Sequence, residues 1–333
     1  MATQIVYRLV LRGGFDGLQP IQEPVPHAGK YEILVRFRSA ALNFRDIAIA
    51  KDTFPLPVKE NVVPCSDMSG EVVQLSEEVR NFSIGDRVIA PVSLVVLYGP
   101  VKDEDNSLGG SVDGVLRQYL VLPAHATVKL PQSSHSFSEW AASVTTAYTV
   151  WNAFYGCLSL KPGQTVLLLD STPILIFAAG TGGVSLTGLI FAKAAGATAI
   201  ITSSSDEKLD YVKKKYGVDH TINYKTRPQW AMEVNRITHG EGVDNVLEVG
   251  EVGTVEQSID SVAWGGVTSV IGFLSSLDDE KMPNGAFQTL AKGAILRVSW
   301  QGPNSSLRTL SSLLEHRISR YQWKRHSPST RRE

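Results

Sequence analysis

From residue 5 to about residue 130 the chain is written in short apolar and polar alternations broken by Gly, Pro and Asn. Residues 31–38 alternate well enough for a half-buried strand, and residues 70–75 and 86–90 read the same way. This half therefore predicts a small, mostly antiparallel β barrel. Polar residues and two glycines across 101–113 predict an exposed loop, either a solvated connector or a gate over a substrate. A helix begins near Ser138, placed as its N-cap, and runs through Thr145 and Thr146 towards Phe154.

After Lys161-Pro162-Gly163 strands and helices alternate. Strands are expected at 199–202, 220–224, 243–249 and 267–273. The helices between them fall at 206–216, stopped by Gly217, at 229–238 and at 254–262. That order is the βαβ series of a doubly wound parallel sheet, so the fold class is α/β. The series opens with Gly180-Thr181-Gly182-Gly183-Val184-Ser185, followed by an apolar helical run to Gly196. Glycines at the first and third positions permit a tight turn and close backbone approach, with Ser185 where a third glycine is usual. Such a turn sets a helix N-terminus, with its free N–H groups, against a dinucleotide pyrophosphate. Two apolar segments compete to be the strand feeding it, residues 166–169 and 174–178. Adjacency to the glycines favours the second.

Composition narrows the class. Of 333 residues, 43% are apolar and 20% charged, with a net charge of −1, which suits a soluble two-domain protein and gives no bulk attraction to nucleic acid or anionic membrane. No run approaches the ~18 apolar residues of a membrane span. The N-terminus lacks a charged-then-apolar leader pattern, so a cytoplasmic protein is expected. Cys65 and Cys157 are the two cysteines of the chain, too few for a disulfide framework or a four-cysteine zinc site. The seven histidines are scattered, and no Ser/His/Asp or Cys/His nucleophile arrangement is present.

The ordered set of Ala41-Leu42-Asn43-Phe44-Arg45-Asp46, Phe82 to Val88, Asp113-Gly114-Val115-Leu116-Arg117-Gln118-Tyr119, the glycine turn, Gly217 to Tyr224, Gly242-Val243-Asp244 and Gly265-Gly266-Val267 resembles the medium-chain dehydrogenase/reductase family. It is similar in particular to the zinc-independent, quinone oxidoreductase-like branch. The resemblance implies a GroES-like β barrel over residues 1–128 and a Rossmann domain over 129–320, with the nicotinamide in the cleft between them. Against that pattern the ten residues 170–179 are an insertion. The family's C-terminal return segment is missing, and residues 321–333 form a basic tail expected to be disordered, with a binding tail as the functional alternative. A homodimer through residues 294–302 is the implied assembly.

Zinc members carry a Cys at the place of Asn43, a His-Glu pair where Ser66-Asp67 stand, and a later Cys near Val144. Asparagine, serine and valine cannot supply that soft ligand set, so no zinc is expected. Cys65 beside Asp67 reads either as a ligand pair or as a buried small residue. Without a Lewis acid, hydride delivery to an activated alkene or quinone is the favoured chemistry, with carbonyl/alcohol interconversion as the alternative. A catalytically impaired NADPH-binding protein is the alternative of another class. Asn43 is expected to orient nicotinamide ribose and substrate, or else to be a turn residue. Thr146 is expected to hydrogen-bond near the nicotinamide, or else simply to pack, and Arg45 and Asp46 are expected to form an ion pair.

The second strand ends in hydroxyls and not in the acid that would hold a ribose 2′-hydroxyl. Ser203, Lys208 one helical turn on, and Tyr224 suit a 2′-phosphate, which points to NADPH over NADH, with Asp206 and Glu207 as counter-evidence. Gly180, Thr181, Gly182, Gly183 and Val184 are the expected pyrophosphate site. By family analogy Gly272, Phe273 and Leu274 meet the carboxamide.

Overall fold

The computed structural model describes residues 2–99, 106–169, 182–250, 253–272, 285–299, 303, 305–309 and 311. The chain divides into two units, Met1–Tyr148 with Gln301–Glu333, and Thr149–Trp300.

In the first unit the N-terminal alternation becomes β1 (Thr3–Leu9), which turns Val6 and Leu9 inward and pairs antiparallel with β2 (Leu18–Pro24). The main sheet is antiparallel. It comprises β3 (Glu32–Ala41), β4 (Asp67–Leu75), β5 (Arg87–Ile89), β6 (Tyr119–Pro123) and β7 (Val128–Lys129), in the order β6-β3-β4-β5-β7. Its core gathers Ile33, Val35, Met68, Val72, Val88, Leu108 and Leu122. This is the antiparallel β half that the alternation predicts.

Between β3 and β4 lies the short helix α1 (Phe44–Ala50), and after β7 comes the long α2 (Phe137–Tyr155). Ser136, not Ser138, starts α2. Its hydroxyl accepts from Glu139 N–H at 3.3 Å, while Glu139 Oε2 accepts from Ser136 N–H at 2.7 Å. The reciprocal pairing is a capping box that needs a glutamate three residues on, which Ser136 has and Ser138 lacks.

Of the stretch expected to be an exposed loop, Ser107 to Gly110 are buried, Ser111 to Asp113 are partly buried and Asn106 is exposed. Glycine makes this possible: a Cβ on Gly114 would sit 1.9 Å from Cys65 O and one on Gly109 2.6 Å from the same atom. The loop can therefore lie directly on the Cys65 backbone.

The second unit alternates β8 (Thr165–Leu168), α3 (Gly183–Ala195), β9 (Thr198–Ser203), α4 (Asp206–Tyr216), β10 (His220–Asn223), α5 (Trp230–Ile237), β11 (Val243–Glu248), α6 (Val255–Ser261), β12 (Val262–Val270), α7 (Gly285–Ala291) and β13 (Ile295–Val298). The six strands are parallel, in the order β10-β9-β8-β11-β12-β13. Strand order reverses between β8 and β11, which is the switch point where such sheets bind ligands.

The strand at that point is Thr165–Leu168, correcting the preference for residues 174–178, which lie with the rest of the insertion outside the described residues. Leu167 and Leu168 are fully buried between β9 and β11. The strand's entry is pinned by Asp244, which accepts from Thr165 N–H at 2.8 Å and Gln164 Nε2 at 3.0 Å. Burial on both faces and pinning at one end outweigh nearness to the glycines.

Candidate functional site

Each unit carries one cluster of functional groups. In the second unit the cluster sits at the carboxyl ends of β8, β9 and β11. Gly182 caps α3 with extended backbone and no side-chain hydrogen bond. Gly183 and Val184 follow in its first turn, and Ser185 turns its hydroxyl onto Leu169 O at the end of β8. The role usually given to a third glycine passes to Gly188: a Cβ there would lie 2.6 Å from Leu247 Cδ1 and 2.8 Å from Leu168 Cδ2. The missing side chain lets α3 press against both strands of the switch point, aiming its first-turn N–H groups over their ends.

β9 ends at Ser203, which is buried. Tyr224 N–H donates to Ser203 O at 3.1 Å, bringing these two predicted residues together. Ser205 caps α4, accepting from Lys208 N–H at 3.4 Å. Asp206, the acid that argued for a ribose hydroxyl, accepts from Asn223 Nδ2 at 2.8 Å, and Lys208 enters no ion pair among the described residues. Gly272 follows β12 and is half-buried. Gly180, Thr181, Phe273 and Leu274 lie outside the described residues.

Sequence reading missed Glu248. It is fully buried at the end of β11 and accepts from Gly250 N–H and Thr254 Oγ1, both at 2.6 Å, and from Ser258 Oγ. These bonds tie the turn after β11 to α6. The available signal was an acid directly after the apolar pair Val246-Leu247 at the end of a buried strand, which needs donors of this kind.

In the first unit the cluster lies where α1, β4 and α2 meet. Asn43 is the N-cap of α1, and its N–H donates to Asp46 Oδ2 at 2.8 Å. Its carboxamide Nδ2 is buried and makes no hydrogen bond of normal geometry among the described residues, though it lies near enough to Asp67 to help hold that carboxyl down. Arg45 and Asp46 do not pair with each other: the guanidinium donates to Ser107 Oγ at 2.8 Å and to Leu108 O. A helix geometry that aims residue 46 back at its own cap leaves Arg45 for the neighbouring loop.

Asp67, at the start of β4, is almost wholly buried. It accepts from Thr145 N–H at 2.9 Å, Thr145 Oγ1 at 2.6 Å and Ser66 Oγ at 3.0 Å. Burial raises its pKa against those hydrogen bonds. Desolvation likewise lifts Asp46 to about 6, opposed by the Asn43 N–H, by Arg45 and by the Cys65 backbone, and reinforced by Asp67. Asp46 Oδ1 makes no hydrogen bond of normal geometry among the described residues. Burial also pushes up the Cys65 thiol and, well above its usual value, the Tyr148 phenol.

The structure thus assigns the α2 contact to Thr145. Thr146 returns its hydroxyl to Ala142 O at 3.2 Å within the helix. Tested for zinc, the donor set fails: Asn43, Ser66 and Val144 offer no soft ligand, and Asp67's oxygens are already committed. No group of three or more His, Cys, Asp or Glu placed to hold a metal occurs among the described residues.

Comparison with known proteins matches residues 29–132 to the alcohol dehydrogenase GroES-like domain and residues 183–316 to the zinc-binding dehydrogenase model. A zinc-type alcohol dehydrogenase-like protein of Schizosaccharomyces pombe is 41% identical over 310 residues, covering 91% of this chain and 86% of that protein. A quinone oxidoreductase-like protein 2 homolog of Nematostella vectensis is 30% identical, covering 74% of this chain and 60% of that one. A solved structure from Sinorhizobium meliloti 1021 superimposes with a TM-score of 0.82 at 31% identity, over 96% of this chain and 90% of that chain.

Proposed function

Since the chain belongs to the medium-chain dehydrogenase/reductase family of oxidoreductases, we propose that it delivers hydride from NADPH to a quinone or an enone- or enal-type alkene, without zinc. The observation that carries this reading is the α1–β4–α2 cluster, where Asn43, Ser66 and Val144 stand at the positions of a metal cage and Thr145 occupies Asp67. Carbonyl reduction wants a Lewis acid at oxygen, whereas conjugate reduction needs hydride at carbon and stabilisation of a delocalised enolate by hydrogen bonds.

When bound, NADPH supplies the hydride. Gly182, Gly183 and Val184 would hold its pyrophosphate on the α3 N-terminus. Ser203, Lys208 and Tyr224 would take the 2′-phosphate, and Gly272 with Phe273 and Leu274 the carboxamide. The buried Asn43 amide is the donor available to ribose or substrate oxygen, and Thr146 would serve as the α2 donor by turning its hydroxyl away from Ala142 O. Asp46, raised to about 6, holds a proton at Oδ1 for part of the time at neutral pH and is a reservoir for the proton the enolate must gain.

Alcohol/carbonyl interconversion is the second reading, favoured by the alcohol dehydrogenase-like name of the yeast relative. Nicotinamide fluorescence should report binding of NADPH in preference to NADH, and nicotinamide absorbance should fall with enones or quinones and not with simple aldehydes. Turnover confined to aldehydes would overturn the reading in favour of the second. Binding without any turnover would mark an impaired NADPH-binding protein.

We also propose a homodimer through β13. It is an edge strand, and Leu296 and Val298 on it, with Phe287 and Leu290 on α7, are exposed apolar residues. Sedimentation at micromolar concentration should give twice the monomer mass.

A further inference from the structure

We propose that Asn223 sets the cofactor preference by holding the Asp206 carboxylate on the β10 side of α4, a positioning role that rests on the NADPH reading above. Asp206 opens α4 three residues after Ser203, which ends β9. A carboxylate free at that place would accept from a ribose 2′-hydroxyl and repel a 2′-phosphate, the usual basis for choosing NADH. In this chain the acid is held: its Oδ1 accepts from Asn223 Nδ2 at 2.8 Å.

The parallel register of β9 and β10 sets Asn223 opposite Ser203, so the asparagine stands beside the end of β9. It is fixed at its other end. Asn223 Oδ1 accepts from Lys225 N–H at 3.0 Å, an Asx turn, and its carbonyl accepts from Arg227 N–H at 2.9 Å and Thr226 Oγ1 at 3.1 Å. With Oδ1 committed to the turn, the donor end of the amide is the one that meets Asp206.

Asp206 and Asn223 line one groove with Asp210, Thr226, Arg227 and Glu233. β10 is the outer strand of the sheet, and the groove lies along it, between α4 and the segment that leads into α5. Nothing else in that groove favours the acid. Asp210 stands one helical turn after Asp206, and like charges at that spacing repel. Arg227, the cation of the groove, is engaged by Glu233 at 2.6 Å. The attraction that keeps the Asp206 carboxylate there is therefore the Asn223 amide, and removing the amide frees the acid.

The test is the dissociation constant of NADPH and of NADH, read by nicotinamide fluorescence on the full chain, and the ratio of the two. Asn223→Ala should lower the preference for NADPH by about fivefold, the size of effect an exposed charge exerts. Asp206→Asn alone should leave the preference at or above that of the wild type. Asn223→Ala combined with Asp206→Asn should restore it, because the asparagine acts through the acid. A structural defect would weaken both cofactors alike and leave the ratio where it was. A wild-type preference for NADPH that survives Asn223→Ala would overturn this proposal alone, as would a preference lost equally in the double variant. A wild type that binds NADH as well as NADPH would overturn the NADPH reading and this proposal with it.

Discussion

The two clusters are built on opposite terms. At the switch point of the second unit the backbone shapes the site: Gly182 starts a helix, Gly188 lets it touch two strands, and Lys208 enters no ion pair among the described residues. At the α1–β4–α2 cluster side chains shape it, and the acids there are buried and mutually coupled. Within that second cluster the contrast sharpens. Asp67 has donors of good geometry for both oxygens, whereas Asp46 has one for a single oxygen. A satisfied buried acid holds structure together, and an unsatisfied one is poised to take a proton.

The largest expected effect breaks the satisfied acid. Asp67→Ala strands the Thr145 N–H, the Thr145 hydroxyl and the Ser66 hydroxyl in a buried place, at about 1–3 kcal/mol for each group that finds no water. Chemical denaturation should show a loss of roughly 3 kcal/mol or more, and a change under about 0.5 kcal/mol would mean that Asp67 is not the anchor.

Asp46 should show the opposite sign. Its pKa is raised by folding, so its contribution favours the folded state at low pH and is lost as pH rises through about 6. Asp46→Asn keeps an acceptor for the Asn43 N–H and removes the charge. It should stabilise the protein by up to about 3 kcal/mol at pH 8 and by little at pH 4. Equal effects at the two pH values would contradict the assignment.

At the switch point, Gly188→Val drives methyls into Leu168 and Leu247. The expected cost is about 2 kcal/mol of stability together with weakened NADPH binding as α3 is pushed off the sheet. A variant with wild-type affinity would show that α3 need not touch both strands. Lys208→Ala is the mildest change: NADPH affinity should fall about tenfold, or ~1.4 kcal/mol, with NADH unaffected. An equal loss for both cofactors would remove the argument for the 2′-phosphate.

The alternation of the second unit was legible because most strands there are short apolar runs closed by their own punctuation. Gly217, with φ of 66°, ends α4 where predicted, and β9 through β11 fall within a residue or so of expectation. The competition between residues 166–169 and 174–178 was not legible, because the deciding contacts come from Asp244 and from β9 and β11, distant in sequence.

The same limit hid Thr145. Trp140, Val144 and Tyr148 fix the buried stripe of α2 at helical spacing, but which of two adjacent threonines meets an acid depends on where β4 begins. The partners of Arg45 were hidden for a related reason, since its acceptors belong to a loop whose polar composition suggested exposure.

The central claim is that the chain reduces an activated alkene or quinone with its own hydrogen bonds in place of a metal. The most direct measurement is the rate of NADPH consumption with an enone before and after exhaustive treatment with a zinc chelator. The account predicts an unchanged rate that added zinc does not raise. A rate lost on chelation and restored by zinc would contradict it.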